Sequence, residues 1–226
     1  MTAAAIGRRF QGKTTLGVSM LDKIERRAFL DPRGSIRRAG AVIVRSKARL
    51  RMAFDALAAG DVAEVVYYPI EPHEEAFDAF SVELLRWVHE YNDVEIGVLI
   101  DEASFYGALG AEDPKSRRAT FMLVFKSCSL PRFHIVITAH RPTDLATDVR
   151  ALLNRWCLFR TTQEHDLEAI RKRCAAAVAE EVQQLDDLQF VKWNDDNATY
   201  EVNKLPAYWA VDLIDAGAER SILVLQ

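Results

Sequence analysis

The fold of this 226-residue chain is decided by the stretch Gly7-Arg8-Arg9-Phe10-Gln11-Gly12-Lys13-Thr14. The stretch fits G-x-x-x-x-G-K-[ST] at every fixed position, a pattern in which successive backbone N–H groups cradle phosphate oxygens at the start of a helix. It follows a short apolar run at residues 2–6 and opens an amphipathic segment, which is the context that this mechanism needs. The sequence therefore predicts a loop that binds the phosphates of a nucleotide, here called the phosphate loop.

Each residue type in the phosphate loop has a predicted role. We expect Gly7 and Gly12 to let the backbone wrap closely around phosphate oxygens, because glycine tolerates positive φ. Lys13 is predicted to contact the β- and γ-phosphates, and the hydroxyl of Thr14 to ligate magnesium. Thr15 is placed to touch the α-phosphate. The remaining positions of the predicted nucleotide-binding set are Arg8, Arg9, Phe10 and Gln11, the last standing where glycine or serine is commoner.

Apolar, strand-like runs alternate with amphipathic, helix-like runs along the chain. Predicted strands are 2–6, 41–44, 62–70, 96–100, 134–138 and 157–160, and predicted helices are 13–30, 47–58, 74–91, 117–128, 143–153 and 166–185. Strand 96–100 is a continuous apolar run, as expected for a strand buried on both faces of a sheet. The alternation predicts an α/β fold with a mostly parallel central sheet and helices on both faces.

The C-terminal part of the chain changes character. Runs 190–193 and 199–202 flank Asn194-Asp195-Asp196-Asn197, which predicts a small β-hairpin at an edge of the sheet. We expect one domain over residues 1–226, with a core at 1–185 and a C-terminal hairpin and tail at 186–226.

Composition excludes several classes of protein. With a formal net charge of −4 and a pI of about 5.8, the chain is not coated in positive charge for nucleic acid, although a local basic lane is compatible with these values. Its three cysteines show no metal-ligand spacing and are expected to be reduced, buried thiols. No apolar run approaches the roughly 18 residues that a membrane span needs. We expect a cytoplasmic protein without a membrane span.

Two carboxylates, Asp101 and Glu102, follow the apolar strand 96–100. In P-loop ATPases the strand beside the phosphate loop ends in such a pair. We expect Asp101 to hold magnesium through water and Glu102 to act as general base toward the attacking water, with Lys13 offsetting charge on the γ-phosphate. Adjacent Asp and Glu are typical of ATPases that do mechanical work, and no guanine-specifying Asn-Lys-x-Asp occurs.

The strand 134–138 runs into Thr138-Ala139-His140-Arg141-Pro142. Ligands bind at the carboxyl ends of strands in open α/β sheets, so His140 is predicted to sense the γ-phosphate or the lytic water. The segment resembles that of the FtsK/HerA superfamily of nucleic-acid-pumping ATPases, whose members typically show hydrophobic residues followed by T-Q-R-P; His140 stands in place of the glutamine. The resemblance covers about residues 6–185, and the short chain is similar to the genome-packaging ATPases of membrane-containing viruses.

The resemblance implies an ATP-driven translocase of double-stranded DNA, with ATP and Mg²⁺ as cofactors. It also implies a homo-oligomeric ring, usually a hexamer, and capsid or portal proteins as partners. Two alternatives remain open: an assembly or export ATPase resembling the zonula-occludens-toxin type, and a nucleotide-binding ring component with little turnover.

Ring ATPases of this superfamily insert an arginine from one subunit into the nucleotide site of the next, where it stabilises charge on the transferred phosphoryl group. The element before strand 134–138 lacks the family's glycine, which leaves several candidates for this arginine finger: Arg132, Arg117, Arg118, Arg141 and Arg160. A separate basic stretch between residues 33 and 51 has few acids and could track a phosphate backbone. Its predicted DNA-contacting residues are Arg37, Arg38, Arg45 and Lys47.

Overall fold

The computed structural model describes residues 1–70, 74–106, 119–127, 131–206 and 223–225. Within these ranges the strands are β1 (Thr2–Ile6), β2 (Arg27–Leu30), β3 (Val42–Val44), β4 (Glu64–Tyr67), β5 (Ile96–Ile100), β6 (Phe133–Ala139), β7 (Arg155–Phe159), β8 (Gln189–Asn194), β9 (Thr199–Lys204) and β10 (Leu223–Leu225). They form one sheet in the order β10-β3-β4-β2-β5-β6-β1-β7-β8-β9. The pairings from β10 to β7 are parallel, and those of β8 with β7 and β9 are antiparallel.

The described helices are α1 (Lys13–Ser19), α2 (Lys47–Ala59), α3 (Glu74–Glu90), α4 (Ala119–Ser127), α5 (Thr147–Ala151), α6 (Glu164–Arg173) and α7 (Ala176–Gln184). Alternate residues of the strands face opposite layers of helices. Ile100 and Ile137 pack into the larger core with residues of α2 to α7, whereas Leu99 and Val136 pack against Val18 of α1. The predicted α/β fold class is confirmed, with the helices distributed unequally between the two faces.

Parallel pairing brings the functional segments to one edge of the sheet. The strands β2, β5, β6, β1 and β7 are adjacent and parallel, so their carboxyl ends lie together. The phosphate loop follows β1, the acidic pair follows β5, and His140 follows β6. The expectation that the acidic pair ends the strand beside the phosphate loop is wrong, because β6 lies between β1 and β5. Side chains from β6 therefore stand between the two motifs.

The predicted helix 13–30 is wrong in its second half. Helix α1 ends at Ser19, and residues 27–30 form β2, which pairs with both β4 and β5. Ala28, Phe29 and Leu30 are buried within the sheet. The apolar residues of 13–30 match a helical spacing by chance, and the backbone pairing of β2 outweighs it.

Two other predicted helices are each divided. Residues 166–185 are not one helix, because α6 ends at Arg173 and Ala175 is extended, with φ −164° and ψ 162°. This break lets Val178 and Val182 of α7 reach the core, which outweighs the helix propensity of the alanines. Residues 143–153 comprise a 3₁₀ turn at Pro142–Asp144 followed by the short α5. Arg117 and Arg118, within the predicted helix 117–128, lie outside the described residues.

The hairpin predicted for the C-terminal part is present as β8 and β9, and β9 forms one edge of the sheet. Strand β10 pairs with β3 at the opposite edge, which no pattern in the sequence predicted. Among the described helices, none combines the length and the apolar character that crossing a membrane requires.

Candidate nucleotide-binding site

The phosphate loop leaves the carboxyl end of β1 and turns directly into α1. Gly12 has φ 89°, a left-handed conformation that only glycine adopts without strain. Phe10 shares this conformation at φ 64°, and its side chain is fully exposed at the tip of the loop. The N–H of Gly7 donates to the carbonyl oxygen of Ala139 over 3.2 Å, which ties the loop to the end of β6.

The two glycines of the loop have different roles. Positive φ was expected at both, and the expectation is wrong for Gly7, because Gly12 is the only glycine of the loop with positive φ. At Gly7 the constraint is space: a Cβ there would lie 2.6 Å from the Cβ of Phe159 in β7. At Gly12 a Cβ would lie 2.5 Å from Cδ1 of Leu205. The first glycine therefore permits close packing of loop against strand, and the second permits the turn.

Lys13 is buried and aimed back into the loop. Its Nζ donates to the carbonyl oxygen of Arg8 over 2.9 Å and lies 3.5 Å from Nδ1 of His140. Burial lowers the pKa of the Lys13 ammonium, and the nearby carboxylates of Glu102 and Asp101 act in the opposite direction. A buried ammonium whose closest partner is a carbonyl is poised to exchange that partner for a phosphate oxygen.

Asp101 is held by two threonines from neighbouring elements. Its Oδ1 accepts from Oγ1 of Thr14 over 2.9 Å and from Oγ1 of Thr138 over 2.7 Å. Burial raises the pKa of Asp101 to about 6, and the two hydroxyl donors oppose this shift. Thr138 reaches from β6 into the gap between β1 and β5, so the two predicted motifs are joined through a residue to which the sequence assigned no role.

Glu102 is held in a strained backbone conformation next to Asp101. Its φ of 51° and ψ of 53° are rare for a residue with a side chain, and its N–H donates to Oγ1 of Thr138 over 2.8 Å. The carboxylate is largely buried and has a cationic or hydrogen-bonding neighbour at each oxygen. Nε2 of His140 lies 2.6 Å from Oε2, and Nε of Arg33 lies 3.8 Å from Oε1.

His140 lies between the predicted base and the predicted lysine. Burial lowers the pKa of His140, and the carboxylate of Glu102 raises it in part. Lys13 can only donate, so Nδ1 of His140 is the atom that can accept from its ammonium, while Nε2 of His140 lies in close contact with Oε2 of Glu102. The imidazole thus stands between the ammonium of Lys13 and the carboxylate of Glu102.

Arg33 is a site residue that sequence reasoning treated only as part of a basic stretch. Buried Asp31, at the end of β2, shapes its loop by accepting from the N–H of Arg33 over 3.1 Å and the N–H of Ile36 over 2.7 Å. The guanidinium lies over the ring of Phe105 and near Glu102. The mistaken helix 13–30 concealed both Asp31 and the strand that presents it.

Two cavities adjoin the phosphate loop. One, of about 320 Å³, is lined by Lys13, Thr14, Thr15, Arg33, Asp101 and Glu102 among others. The other, of about 560 Å³, lies on the side of β7 and includes Arg8, Arg9, His140 and Arg141 in its lining. Gln11 faces this second side, where its Nε2 donates to the carbonyl oxygen of Arg160 over 3.1 Å.

The described finger candidates occupy different edges of the sheet. Arg132 precedes β6 and donates to the carbonyl oxygen of Asp93, so it lies at the edge opposite this chain's own phosphate loop. Arg141 lines the larger cavity beside the loop. Arg160 directly follows β7 and therefore lies at the carboxyl edge with the site.

The basic stretch does not form one continuous lane. Arg37 and Arg45 lie over the ring of Tyr68, with guanidinium carbons 5.5 Å and 4.8 Å from its centroid. Arg38 turns to the other end of β4, where it pairs with buried Glu64 over 3.0 Å. Lys47 pairs with Glu75 over 2.7 Å on the exposed surface.

The oxygen donors beside the loop fit a magnesium ion. Thr14 and Asp101 place a hydroxyl and a carboxylate 2.9 Å apart, which are hard ligands of the kind that Mg²⁺ prefers when phosphates and water complete its shell. In the described part of the chain, no group of three or more His, Cys, Asp or Glu side chains is arranged to hold a metal. Burial raises the pKa of both described cysteines, Cys157 and Cys174, to about 12, which keeps them as thiols.

Comparison with solved structures identifies this arrangement of strands and loops. The genome-packaging NTPase B204 of Sulfolobus turreted icosahedral virus 2, in complex with AMPPCP, superposes with a TM-score of 0.71 at 17% identity over 90% of this chain and 96% of that one. VirB4 of Thermoanaerobacter pseudethanolicus superposes with a TM-score of 0.62 at 12% identity over 91% and 89%. The chain shares its fold with these two proteins.

The DNA-packaging ATPase B204 of Sulfolobus turreted icosahedral virus also shares this fold, with a TM-score of 0.67 at 16% identity over 89% of this chain and 96% of that one. No protein-family model and no curated protein sequence matches the chain. At these identities the comparisons establish the fold, and the chemistry has to be argued from the site.

Proposed function

We propose that this chain is an ATPase that uses ATP hydrolysis to move double-stranded DNA, in the manner of a viral genome-packaging motor. One observation carries the proposal: the hydrogen-bonded chain from Thr14 through Asp101 and Thr138 to the backbone N–H of Glu102. It joins the phosphate loop, a metal-binding carboxylate and a second carboxylate at the carboxyl edge of three adjacent strands, which suits in-line attack of water on a γ-phosphate.

The phosphate loop would hold the triphosphate through its N–H groups, and Lys13 would exchange the carbonyl of Arg8 for oxygens of the β- and γ-phosphates. Thr14 and Asp101 would hold magnesium, which when bound neutralises charge that develops on the phosphates. Thr138 keeps Asp101 oriented by donating to Oδ1.

Glu102 would accept a proton from water while the water oxygen bonds to the γ-phosphorus and the bond to the bridging oxygen of ADP breaks. His140 would orient this base through the close contact of its Nε2 with Oε2, and its Nδ1 faces the ammonium of Lys13. Arg33 restrains the other oxygen of this carboxylate, Oε1. The contact between Arg33 and Oε1 would therefore weaken when Glu102 approaches the attacking water.

Two observations support the step from ATPase to DNA motor. It is supported by the superposition on two packaging NTPases that covers nearly the whole of each chain. It is also supported by the guanidinium groups of Arg37 and Arg45, which both stack on the ring of Tyr68 near the carboxyl ends of β3 and β4. Guanidinium groups fixed by stacking are suited to contact a phosphate backbone. A homo-oligomeric ring, an arginine finger from the neighbouring subunit and docking to capsid or portal proteins complete the proposal.

The test is the rate of ATP hydrolysis with and without double-stranded DNA at low salt. We expect DNA to stimulate the rate, and Lys13→Ala and Glu102→Gln each to lower the stimulated rate by at least about 100-fold. The matched controls Lys23→Ala and Glu201→Gln remove the same charges from exposed positions and should leave the rate unchanged. Hydrolysis that ignores DNA would contradict the motor, and unaltered hydrolysis in Glu102→Gln would contradict the assigned base.

A further inference from the structure

Besides the two cavities at the phosphate loop, a groove lies on the far side of the loop that carries His140. It runs between α5 and α6, has a volume of about 470 Å³, and has Trp156 of β7 among the residues that line it. Ala151, Ala169 and Ile170 make much of its lining apolar. Pro142, two residues after His140, lines both this groove and the cavity beside the phosphate loop.

Three buried donors at this groove have no acceptor among the described residues. They are the indole Nε1 of Trp156 and the Nε atoms of Arg150 and Arg173. Trp156 is 1% exposed, so its N–H has left water without a replacement. Buried N–H groups in folded proteins are nearly always paired, so three unpaired donors around one groove indicate an acceptor that the described part of the chain does not supply.

The charges around the groove favour an anionic acceptor. Arg150, Lys172, Arg173 and His165 line the groove, and Glu168 is the single acid among the described residues that line it. Lys172 lies 3.3 Å from Glu168, and Arg173 pairs with Asp195 outside the groove, so the side chain of Arg150 is the one left with only a hydroxyl partner, Thr147 over 3.1 Å. A carboxylate can accept from the indole N–H and a guanidinium together.

We propose that this groove binds a peptide segment of a partner protein that places a carboxylate side chain next to an aliphatic one. The aliphatic group would occupy the apolar lining between α5 and α6, and the carboxylate would accept from Trp156 and Arg150. A peptide suits the groove better than a nucleic-acid backbone, because the unpaired donors are buried and Ala151, Ala169 and Ile170 line the same groove, whereas a nucleic-acid backbone needs an exposed basic surface.

The test uses the full chain and two capped tetrapeptides, one alternating leucine with glutamate and one alternating leucine with glutamine. The ¹H–¹⁵N signal of the Trp156 indole, assigned by its absence in Trp156→Phe, reports on the site directly. We expect the glutamate peptide to shift this signal downfield in a saturable way and the glutamine peptide to leave it in place. Fluorescence anisotropy of the labelled glutamate peptide should show binding about tenfold weaker in Trp156→Phe and in Arg150→Met.

The matched control is Lys192→Gln, which removes a cation of β8 outside the groove and should not alter peptide affinity. Three results would overturn the proposal: an indole signal that ignores the glutamate peptide, equal shifts with both peptides, or a shift that depends on protein concentration alone and so reports a second copy of this chain. Displacement of the peptide by duplex DNA, with the same indole shift, would also overturn it in favour of a phosphate ligand.

Discussion

At the scale of single residues, the site buries the carboxylate of Asp101, and this burial disfavours its charged form. Asp101 is 1% exposed, and the hydroxyls of Thr14 and Thr138 are the hydrogen-bond donors to its Oδ1. Burial raises its pKa from 3.8 to about 6, so its ionised form is less favourable in the folded protein than in the unfolded chain. Without metal and nucleotide, this carboxylate lowers the stability of the fold at neutral pH.

Asp101→Asn is therefore expected to stabilise the ligand-free protein while abolishing hydrolysis. Between pH 3.8 and about 6 the folded wild type binds more protons at Asp101 than the unfolded chain, so the contribution of Asp101 to the free energy of unfolding falls as pH rises through this range. The gain in Asp101→Asn should be small near about pH 4 and approach about 3 kcal/mol above about pH 7. Urea unfolding in a chelating buffer measures it.

The surface substitution Asp61→Asn controls for loss of an acid elsewhere, since Asp61 is exposed. Its effect on the free energy of unfolding should stay within about 0.5 kcal/mol at both ends of the pH range. The gain in the free energy of unfolding of Asp101→Asn over wild type should grow as pH rises. A gain that shrinks as pH rises would contradict this account of the site.

Residues of the site differ in how far the sequence could reveal them. The phosphate loop, Asp101, Glu102 and His140 each follow a strand within a recognisable motif, and the structure brings them together. Thr138 and Arg33 acquire their positions from strand order, because β6 is inserted between β1 and β5, and β2 lies beside β5. No spacing along one chain encodes which strands are neighbours in a sheet.

At the scale of elements, the C-terminal hairpin supports the phosphate loop. Leu205, which follows β9, is 4% exposed and packs in a small core with Leu16 of α1 and Phe159 of β7. Its Cδ1 stands where a side chain at Gly12 would lie. Its N–H donates to the carbonyl oxygen of Leu188 over 2.9 Å, which anchors the end of the hairpin beneath the loop.

Leu205→Ala is expected to weaken both the fold and nucleotide binding. Removing the buried side chain should lower the free energy of unfolding by about 2–4 kcal/mol and lower ATP affinity several-fold, because the turn at Gly12 loses its support. Val202→Ala is the matched control on the same hairpin, since Val202 is 44% exposed. Equal effects of the two substitutions on ATP affinity, measured by calorimetry, would show that the hairpin does not support the loop.

Elements whose apolar residues follow one clear pattern along the sequence were predicted well. Elements whose apolar residues fit more than one pattern were not. The apolar run Ile96–Ile100 was placed at its observed bounds, because only a strand buried on both faces needs five consecutive apolar residues. The segment 13–30 contains a helix, a turn and β2, and its apolar residues happen to satisfy a helical period. Three-residue β10 is too short to leave a signal and gains its structure from pairing with β3.

At the scale of the whole molecule, strand order explains why one edge of the sheet can do chemistry. In the order of the sheet, the seven strands from β3 through β4, β2, β5, β6 and β1 to β7 run parallel. This directs the carboxyl ends of β5, β6 and β1 to the same edge. The antiparallel hairpin closes one side of the sheet, and the groove between α5 and α6 lies behind the loop that bears His140. The phosphate loop, Glu102 and His140 thus lie at one edge of the sheet, and the groove proposed for a partner lies on an adjacent surface.

The central claim is that the backbone of residues 7–14 grips a triphosphate whose metal is steadied by Asp101. Isothermal titration calorimetry with ATP, in the presence and absence of magnesium, tests it most directly. We predict one site per chain, binding that strengthens with magnesium in the wild type, at least about tenfold weaker binding in Lys13→Ala, and loss of the magnesium effect in Asp101→Asn. No heat from magnesium and ATP at about millimolar concentration, or a magnesium effect that survives in Asp101→Asn, would contradict the claim.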